Sequence, residues 1–387
     1  MLSLITYSMR NLRRRYTRTV MTCLGISLAV FASVIMMALS RGLYLRTSGT
    51  GEDSNILAIS RNGQTVMFSS ITDEEVVYLS SLEGLAKNAN GDALVSAEIM
   101  HMSHVEVEGM QTKRKPVCIR GVRDVAYEVH KSLSVVEGTL PQKEYDILIG
   151  DMVFVRLGVD KAALKPGMKL KFEGQDWNIC GIFQAEGSLF ESEMWVKEQT
   201  LKTVLRRTTD TFAVVKLESP EKATQATGMF SQAGAYEKYF KGWVERGYYK
   251  QFGKTADWIF WLSLVMVVSI VVAGALIGIN TMYTAIMNRM QELGTLRVLG
   301  FRKFDILLSL VMESMLLAFI GGAIGLAAGS FVNNIPMKFS SGAFYMIVDT
   351  PVILAGIALS AFIGLSGAIL PAIKALKVPI MEALRQE

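Results

Sequence analysis

The sequence predicts a membrane protein with four transmembrane α-helices, one followed at a distance by three, and a large α+β extracytoplasmic domain inserted between helices 1 and 2. Four apolar stretches carry this prediction: residues 20–39, 258–279, 306–331 and 351–370. Each is close to the roughly 20 apolar residues with which a helix crosses the hydrocarbon of a bilayer. The chain is 51% hydrophobic and 19% charged, and its apolar residues are concentrated in these stretches. A soluble two-domain enzyme is therefore disfavoured.

Lysine and arginine residues near the ends of the stretches predict the orientation, because cytoplasmic flanks are enriched in them. The short connection between the third and fourth stretches carries only Lys338. We therefore predict that both termini and the loop between helices 2 and 3 are cytoplasmic, and that residues of about 46–257 face outward. The formal charge of +5 is explained in this way without nucleic acid as a partner. The cytoplasmic cations are Arg10, Arg13, Arg14, Arg15, Arg18, Arg289, Arg297, Arg302, Lys303, Lys374, Lys377 and Arg385.

The predicted boundaries divide the chain into alternating membrane and solvent segments. Apolar residues at helical spacing before residue 18 indicate an amphipathic helix, which either lies along the membrane or continues the first span. A signal peptide is the alternative for the first span, but about twenty apolar residues exceed the usual h-region. The segments are an amphipathic cytoplasmic helix (1–18), transmembrane helix 1 (19–45), the extracytoplasmic domain (46–257), transmembrane helix 2 (258–285), a cytoplasmic connecting helix (286–305), transmembrane helix 3 (306–331), a short extracytoplasmic loop (332–349), transmembrane helix 4 (350–371) and a cytoplasmic tail (372–387).

Short apolar runs separated by glycine, asparagine, serine and charged residues predict an α+β domain over 46–257. Helices are predicted at 72–81, where Thr72 is followed by acidic residues, and at 220–231, which follows a serine and opens with Pro220. Strands are predicted from runs rich in Val, Ile, Phe and Trp that are bounded by turns. These runs are residues 56–60, 104–107, 116–119, 146–149, 169–172, 177–183, 194–196 and 212–217.

The sequence of the inserted segment contains no pattern typical of catalysis or metal binding, so we predict no catalytic, cofactor-binding or metal-binding residue. His101 and His104 have the spacing of a ligand pair on a helix, but His104 opens an alternating, strand-like run, and surface histidines are the favoured interpretation. Cys118 and Cys180 both fall in the outward segment. One disulfide is permitted there, and buried free thiols fit their apolar contexts at least as well.

Small residues recur at every fourth position in three of the apolar stretches. Such a stripe lets helix backbones approach closely, which is a usual basis of helix association in lipid. We therefore predict tight packing, either within one subunit or between subunits. The predicted packing residues are Gly25, Ala29, Gly274, Gly278, Gly321, Gly325 and Gly329.

The segment between the second and third spans predicts a short amphipathic helix between Gly294 and Gly300. Leu293, Leu296 and Leu299 recur on one side of it. A short helix with an apolar ridge flanked by charges is suited to a groove in a cytoplasmic partner. The alternative is an ordinary solvated loop.

Charged residues in and near this segment suggest two pairings. Arg289 and Glu292 have the i,i+3 spacing of a helical ion pair. Glu313 is an acid inside the third span. It either has a functional role, paired with Arg302 or with an arginine of a partner, or it is a carboxylate that reaches the membrane interface.

The connecting segment reads R-x-x-E-L-G-x-x-R-x-x-G-x-x-x-x-D-I from Arg289 to Ile306. This closely resembles MacB/FtsX-type ABC transporter permeases, a family that includes LolC and LolE. The arrangement of spans is similar as well. Further matching motifs are Gly121–Arg123, Val136–Pro141, Ile149–Asp151, Leu157–Val159, Pro166–Gly167, Gly181–Phe183, Pro371–Ala372 and Pro379–Arg385.

The resemblance implies that the connecting helix couples the chain to a separate ATPase subunit dimer, which binds the ATP and magnesium. The sequence itself contains no GxxxxGK[ST] motif, so no cofactor is predicted on this chain. The residues implied in ATPase coupling are Arg289, Glu292, Leu293, Gly294, Leu296, Arg297, Gly300, Arg302 and Asp305.

Mechanotransmission is the mechanism that the resemblance implies: ATP-driven movement of the coupling helices is relayed to the extracytoplasmic domains. A second permease copy, identical or paralogous, and a periplasmic adaptor are further implied partners. The predicted function is export or extraction of a lipoprotein, lipid, peptide or drug. The alternatives are an FtsX-like regulator of a cell-wall hydrolase, and a receptor or anchor without an ATPase. The size of the outward segment favours the transporter.

Overall fold

Long apolar helices and a mixed β-sheet make up the part of the chain that the structure describes. This computed structural model describes residues 16–110, 115–231, 234–255, 257–339 and 342–377. The chain divides into two units. The membrane unit comprises residues up to Gly42, Trp258–Ile335 and Met346 onward, and the inserted domain comprises Leu43–Asp257 and Pro336–Tyr345. Most of the predicted amphipathic helix at 1–18, and the tail from 378, lie outside the described residues.

The helices and strands follow one another in an order that separates the long apolar helices from the sheet. The helices are α1 (Tyr16–Ser48), α2 (Asp73–Leu79), α3 (Ala126–Val129), α4 (Val153–Leu157), α5 (Glu198–Leu205), α6 (Pro220–Ala226), α7 (Glu245–Thr255), α8 (Asp257–Met287), α9 (Met290–Val298), α10 (Lys303–Ser330) and α11 (Thr350–Leu376). The strands are β1 (Asn55–Ser60), β2 (Val95–Val107), β3 (Lys115–Val122), β4 (Ser134–Gly138), β5 (Asp146–Gly150), β6 (Lys169–Phe172), β7 (Gln175–Gln184), β8 (Glu193–Lys197), β9 (Phe212–Lys216), β10 (Phe240–Val244), β11 (Pro336–Phe339) and β12 (Gly342–Tyr345).

Within the described ranges, four helices are long and apolar enough to cross a membrane: α1, α8, α10 and α11. The start of α11 is fixed by Asp349, whose carboxylate accepts a hydrogen bond from the Val352 backbone N–H and one from Arg41. Helix α11 continues through Pro371 to Leu376, beyond the predicted limit at 371. The predicted arrangement of one span followed by three is confirmed.

Backbone approach at small residues holds the membrane unit together. A Cβ added at Gly325 would lie 2.6 Å from the backbone oxygen of Ser27, and one at Gly321 would lie 2.8 Å from that of Cys23. Glycine is therefore required where α10 crosses α1. On α8, the position of such a Cβ at Gly274 is 3.3 Å from the Cβ of Ala29.

The remaining residues of the predicted stripes differ in how closely they are packed. An added Cβ at Gly329 would lie 2.6 Å from a methyl carbon of Val34, whereas one at Gly278 would lie 3.5 Å from Gly367 of α11. Gly25 is the most open of these positions, at 3.8 Å from Ile277. The stripes thus serve packing within one chain.

The inserted domain is built on one mixed sheet. Among the described residues, ten strands pair in the order β10-β1-β9-β2-β3-β8-β5-β7-β4, with β6 joining β2 and β7. The pairs β3–β8 and β5–β7 are parallel. Buried aliphatic and aromatic side chains, among them Trp177, Trp195 and Phe183, pack on this sheet. This mixed architecture confirms the predicted α+β domain.

Most of the helices and strands predicted for this domain are present in the structure. The predicted capping of the helix after Thr72 is present, since Thr72 and Glu75 exchange side-chain and backbone hydrogen bonds. The strand predicted at 104–107 is the end of the longer strand β2. Strands β4 and β10 and the hairpin β11–β12 were not predicted, and the hairpin lies within the predicted loop 332–349.

Candidate functional site

The connecting helix α9 is separated from α8 by a turn at Arg289. The backbone of Arg289 is not helical (φ −126°, ψ 16°), so the helix is interrupted there. Its N–H still donates to the carbonyl of Ile286 at 3.0 Å, and its own carbonyl accepts from Leu293 at 3.0 Å. The two helices are therefore joined through a single hydrogen-bonded turn, whose direction is set at Arg289.

The side chain of Arg289 is anchored on α10 by Glu313. Nη1 donates to Oε2 at 3.1 Å and Nη2 donates to Oε1 at 3.4 Å. The exposed fractions of the two side chains are 7% and 8%. A two-point arginine–carboxylate contact restricts orientation as well as distance. This pair therefore fixes the start of α9 against α10.

The pairing corrects two expectations. Glu313 was expected to pair with Arg302 or a partner's arginine, or to reach the interface, but it is buried against Arg289. Arg289 was expected to pair with Glu292 along one helix, yet its guanidinium reaches across to Glu313 instead. The sequence spacing favoured the local pair, whereas tertiary packing brings α10 beside the turn and supplies a buried partner.

The inward face of α9 packs on the membrane unit. Leu293 and Leu296 are half-buried beside a cluster that contains Ile286, Met290 and Ile306. The expectation that Leu293, Leu296 and Leu299 together form an outward ridge is therefore wrong, because only Leu299 of the three is exposed. Gly294 is buried on this side as well.

The outward apolar surface lies at the end of α9 and the start of α10. It consists of Val298, Leu299, Phe301 and Phe304, whose exposed fractions are 63, 71, 42 and 68%. We call these four residues the apolar ridge. Of these four residues only Leu299 is predicted from the sequence, although the apolar run across Gly300 is a signal for the others. Exposed apolar groups this close together are typical of an interaction surface.

Gly300 turns the chain between the two halves of the ridge. Its φ of +93° is in the left-handed region, which glycine adopts without strain. The next helix, α10, then begins at Lys303, and the backbone N–H of the preceding Arg302 donates to the Asp305 carboxylate at 3.2 Å. Glu292, Arg302 and Lys303 are exposed and Arg297 is half-buried. Charged side chains thus border the ridge.

A buried charge cluster lies inside the inserted domain, and it is not predicted from the sequence. It consists of Glu98, Arg120, His130, Glu193 and Glu245. Arg120 donates to Glu98 at 2.6 Å and to Glu193 at 2.7 Å, and His130 contacts Glu98 at 2.9 Å. The groups come from separate strands and helices, so no local spacing reveals them.

Opposite charges set the pKa values in this cluster. Burial alone would raise the pKa of Glu98, but His130 and Arg120 outweigh burial and lower it to about 2. Burial alone would lower the pKa of His130, but Glu98 and Glu245 outweigh burial and raise it. The charged forms of both groups are therefore favoured in the folded chain.

The described residues contain no group of three or more His, Cys, Asp or Glu side chains that could hold a metal ion. His101 is half-buried and contacts Glu173 at 3.0 Å, whereas His104 is exposed. Cys118 and Cys180 are free thiols. Burial raises the pKa of the Cys180 thiol to about 12, so its reactive thiolate is scarce.

The helices, the sheet and the connecting turn together define a class of protein. It is a multi-pass membrane protein with a large mixed α/β domain between its first and second spans and a short, charged connecting helix between its second and third. Residues 19–233 match the family described as MacB-like periplasmic core domain, and residues 263–380 match the FtsX-like permease C-terminal family. The first match alone covers more than half of the chain. The chain belongs to the MacB/FtsX-type ABC transporter permeases.

Relatives of this family differ in how much of the chain they match. The uncharacterized ABC transporter permease YknZ of Bacillus subtilis is 24% identical over 401 aligned residues, 96% of this chain and 95% of YknZ. The macrolide export ATP-binding/permease protein MacB of Shewanella oneidensis is 34% identical over 134 residues, 34% of this chain. That segment spans only 20% of the length of MacB.

Two of the solved structures with similarity are isolated domains of permeases. The extracellular domain of YknZ from Gram-positive bacteria is 16% identical, with a TM-score of 0.35, and the match covers 45% of this chain and 88% of that one. The periplasmic region of MacB from Actinobacillus actinomycetemcomitans is 12% identical, with a TM-score of 0.38, and the match covers 54% of this chain and 95% of that one.

Proposed function

We propose that this chain is the permease subunit of a MacB-like, type VII ABC transporter that works by mechanotransmission. A separate ATPase subunit supplies the energy, and movement of the inserted domain exports or extracts a substrate from the extracytoplasmic side. The observation that carries this proposal is the apolar ridge at the end of α9, with exposed fractions of 42 to 71% and charges along its border. A ridge of this kind fits a groove on a cytoplasmic protein.

The anchored turn supports transmission of force rather than simple attachment. A partner that pushes on the ridge acts on α9, and Arg289 connects the start of α9 to Glu313 on α10 through two hydrogen bonds. Because the pair is buried, it resists bending more than a solvated pair does. Movement of the ridge therefore displaces α10 together with α9.

The proposed complex contains two ATPase subunits and two permease copies, which are identical or paralogous. ATP and magnesium are bound by the ATPase subunits, and this chain is not itself an enzyme. Both termini and α9 are cytoplasmic in a bacterial inner membrane, in agreement with the positions of lysine and arginine. A periplasmic adaptor is a further proposed partner. The substrate class is a lipoprotein, lipid, peptide or drug.

Substitutions in α9 test the proposal in reconstituted vesicles that contain the ATPase subunit. Glu292→Lys reverses an exposed charge beside the ridge, and Gly294→Pro adds a ring at a buried position inside α9. We expect both variants to insert into membranes and to lose stimulation of ATPase activity. Full stimulation by both variants would remove the coupling role of α9.

A matched pair of variants separates the ridge from a general effect of surface charge. Leu299→Asp places a carboxylate on the ridge, where 71% of the leucine is exposed, and Phe68→Asp does so in the inserted domain, where 77% of the phenylalanine is exposed. We expect Leu299→Asp to lose binding of the ATPase subunit and Phe68→Asp to retain it. Equal binding by the two variants contradicts the proposal.

A further inference from the structure

The hairpin β11–β12 is a packed part of the inserted domain, although it lies in the connection between two apolar helices. Ala343 and Phe344 are buried, with exposed fractions of 1 and 4%. Ala343 packs against Met152 and Val155 at the start of α4. Along the chain, strand β11 follows α10 and strand β12 precedes α11. This connection is therefore a structural element of the domain rather than a loose loop.

Glu191 holds the segment that faces the hairpin. Its Oε1 accepts hydrogen bonds from the backbone N–H groups of Ala185 at 2.9 Å and Gly187 at 2.8 Å. Its Oε2 accepts from Nη1 of Arg46 at 3.2 Å. Arg46 lies in the last turns of α1 and is itself buried. One carboxylate thus shapes the loop and ties it to the end of α1.

Ser192 joins the same loop to the hairpin. Its Oγ accepts from the Ala343 N–H at 3.0 Å and donates to the Ala343 carbonyl at 3.4 Å. Nη2 of Arg46 also donates to the Oγ of Ser192, at 3.4 Å. The end of α1 and the hairpin therefore share one hydroxyl group. We call Arg46, Glu191, Ser192 and Ala343 the junction.

The junction has the properties of a stiff connection. Its polar groups are buried, so each broken hydrogen bond leaves a donor or acceptor without water, and hydrogen bonds to charged groups are the stronger kind. The backbone is close-packed as well, because a Cβ added at Gly150 would lie 2.2 Å from the Glu191 carbonyl oxygen. Separation of the hairpin from the loop therefore disrupts many contacts at once.

We propose that the junction makes the end of α1 and the hairpin β11–β12 move as one body with the inserted domain. Glu191 and Ser192 are then positioning residues through which displacement of α10 and α11 reaches the domain. This inference rests on the proposed function, because it assigns the route that the movement takes. The hairpin then transmits movement and does not merely connect α10 to α11.

A pair of variants breaks the junction or leaves it intact. Ala343→Glu places a carboxylate among Met152 and Val155, where 1% of the alanine is exposed, and expels the hairpin. Met337→Glu puts the same side chain on the neighbouring strand, at a residue that is 37% exposed. Thermal unfolding of both variants checks that the rest of the chain remains folded.

The readout is the position of the domain relative to the bilayer. An azide-bearing amino acid at the exposed position of Val136 carries a donor dye, and the vesicles contain acceptor lipids. With the ATPase subunit present, we expect ATP to change the energy transfer in the wild-type chain. We expect Ala343→Glu to lose this change while ATPase activity continues, and Met337→Glu to keep it. An unchanged response of Ala343→Glu overturns the inference.

A disulfide across the junction supplies the opposite test. A Cβ at position 342 would lie 3.7 Å from the Cβ of Ser192, and disulfides span about 3.8 Å between Cβ atoms. Ser192→Cys combined with Gly342→Cys therefore locks the hairpin when oxidised. We expect the locked chain to retain the ATP-dependent change, because the hairpin and the loop move together. Loss of the change on oxidation, with the wild-type chain unaffected by the same oxidant, contradicts the inference.

The wild-type chain separates failure of this inference from failure of the proposed function. If ATP changes neither energy transfer nor ATPase stimulation in wild-type vesicles, the proposed function fails, and the inference fails with it. If the wild-type chain responds and Ala343→Glu responds in the same way, or the oxidised double-cysteine chain loses the response, only the role of the junction fails.

Discussion

Removing Glu313 tests whether the buried ion pair holds the start of α9. In Glu313→Ala, the Arg289 guanidinium loses hydrogen bonds of 3.1 and 3.4 Å while only 7% of its side chain is exposed. Leaving one charge of a buried pair without its partner costs about 3–5 kcal/mol. We expect the free energy of unfolding to fall by this amount, and stimulation of the ATPase subunit to fall with it.

The assay is denaturant titration of the purified chain in detergent micelles, followed by far-UV circular dichroism. Glu144→Ala removes an exposed carboxylate and is expected to change the free energy of unfolding by less than about 0.5 kcal/mol. Arg289→Leu combined with Glu313→Leu removes both charges, and we expect it to recover most of the stability, because an apolar pair can replace a buried ion pair at little cost.

Two results would refute this reasoning. The first is a Glu313→Ala chain as stable as the Glu144→Ala control. The second is a double variant less stable than Glu313→Ala. We further expect the double variant to remain deficient in ATPase stimulation, because two leucines do not fix the orientation of α9. Full stimulation by that variant would show that the pair contributes stability alone.

The remaining predictions concern pH and helix packing. Because the pKa of His130 is raised, its stabilisation is complete below about pH 6.5, the value in unfolded chains, and is lost as the pH rises through the higher folded-state pKa. The free energy of unfolding, plotted against pH, should therefore be flatter in that range for His130→Gln than for the control His104→Gln. Parallel curves would contradict the stabilising role of protonated His130. Gly325→Ala places a Cβ 2.6 Å from the Ser27 carbonyl oxygen. In a denaturant titration it should lower the free energy of unfolding by about 1–3 kcal/mol. Gly25→Ala, whose Cβ would lie 3.8 Å from its nearest neighbour, should leave the free energy of unfolding unchanged. Equal decreases in the two variants would contradict the packing argument.

Apolar length made the membrane helices predictable, and turn chemistry made much of the sheet predictable. The capping of α2 follows from Thr72 and Glu75, which act within one turn. Strand β10 was missed because the surrounding segment, residues 234–244, mixes aromatic, charged and glycine residues without clear alternation. Strand β10 pairs with β1, where Val244 lies opposite Ile56. Because these two strands are far apart in the sequence, no local pattern predicts that they pair.

The candidate site was predictable in place but not in its contacts. The R-x-x-E-L-G pattern located α9, and Gly300 was identified as its end. The partner of Arg289 could not be predicted, because Glu313 lies on another helix and becomes its neighbour only after α8 and α10 are placed. Helical spacing also grouped Leu296 with Leu299, whereas packing on Ile306 turns Leu296 inward.

The junction and the buried charge cluster left no signal in the sequence. Glu191 and Ser192 follow Leu189 and Phe190 in a short segment without a recognisable motif, and their partner Arg46 lies 145 residues before Glu191 in the sequence. Buried charges of this kind are recognised only when their surroundings are known, because an exposed glutamate and a buried one are the same letter.

Photo-crosslinking from the apolar ridge tests the central claim most directly. A photoreactive amino acid replaces Leu299 in the chain expressed in bacterial membranes, and captured proteins are identified by mass spectrometry. We predict capture of a subunit with a GxxxxGK[ST] motif from position 299, and no such capture from Val136 in the inserted domain. Failure to capture this subunit from position 299, or its capture from position 136 instead, contradicts the account.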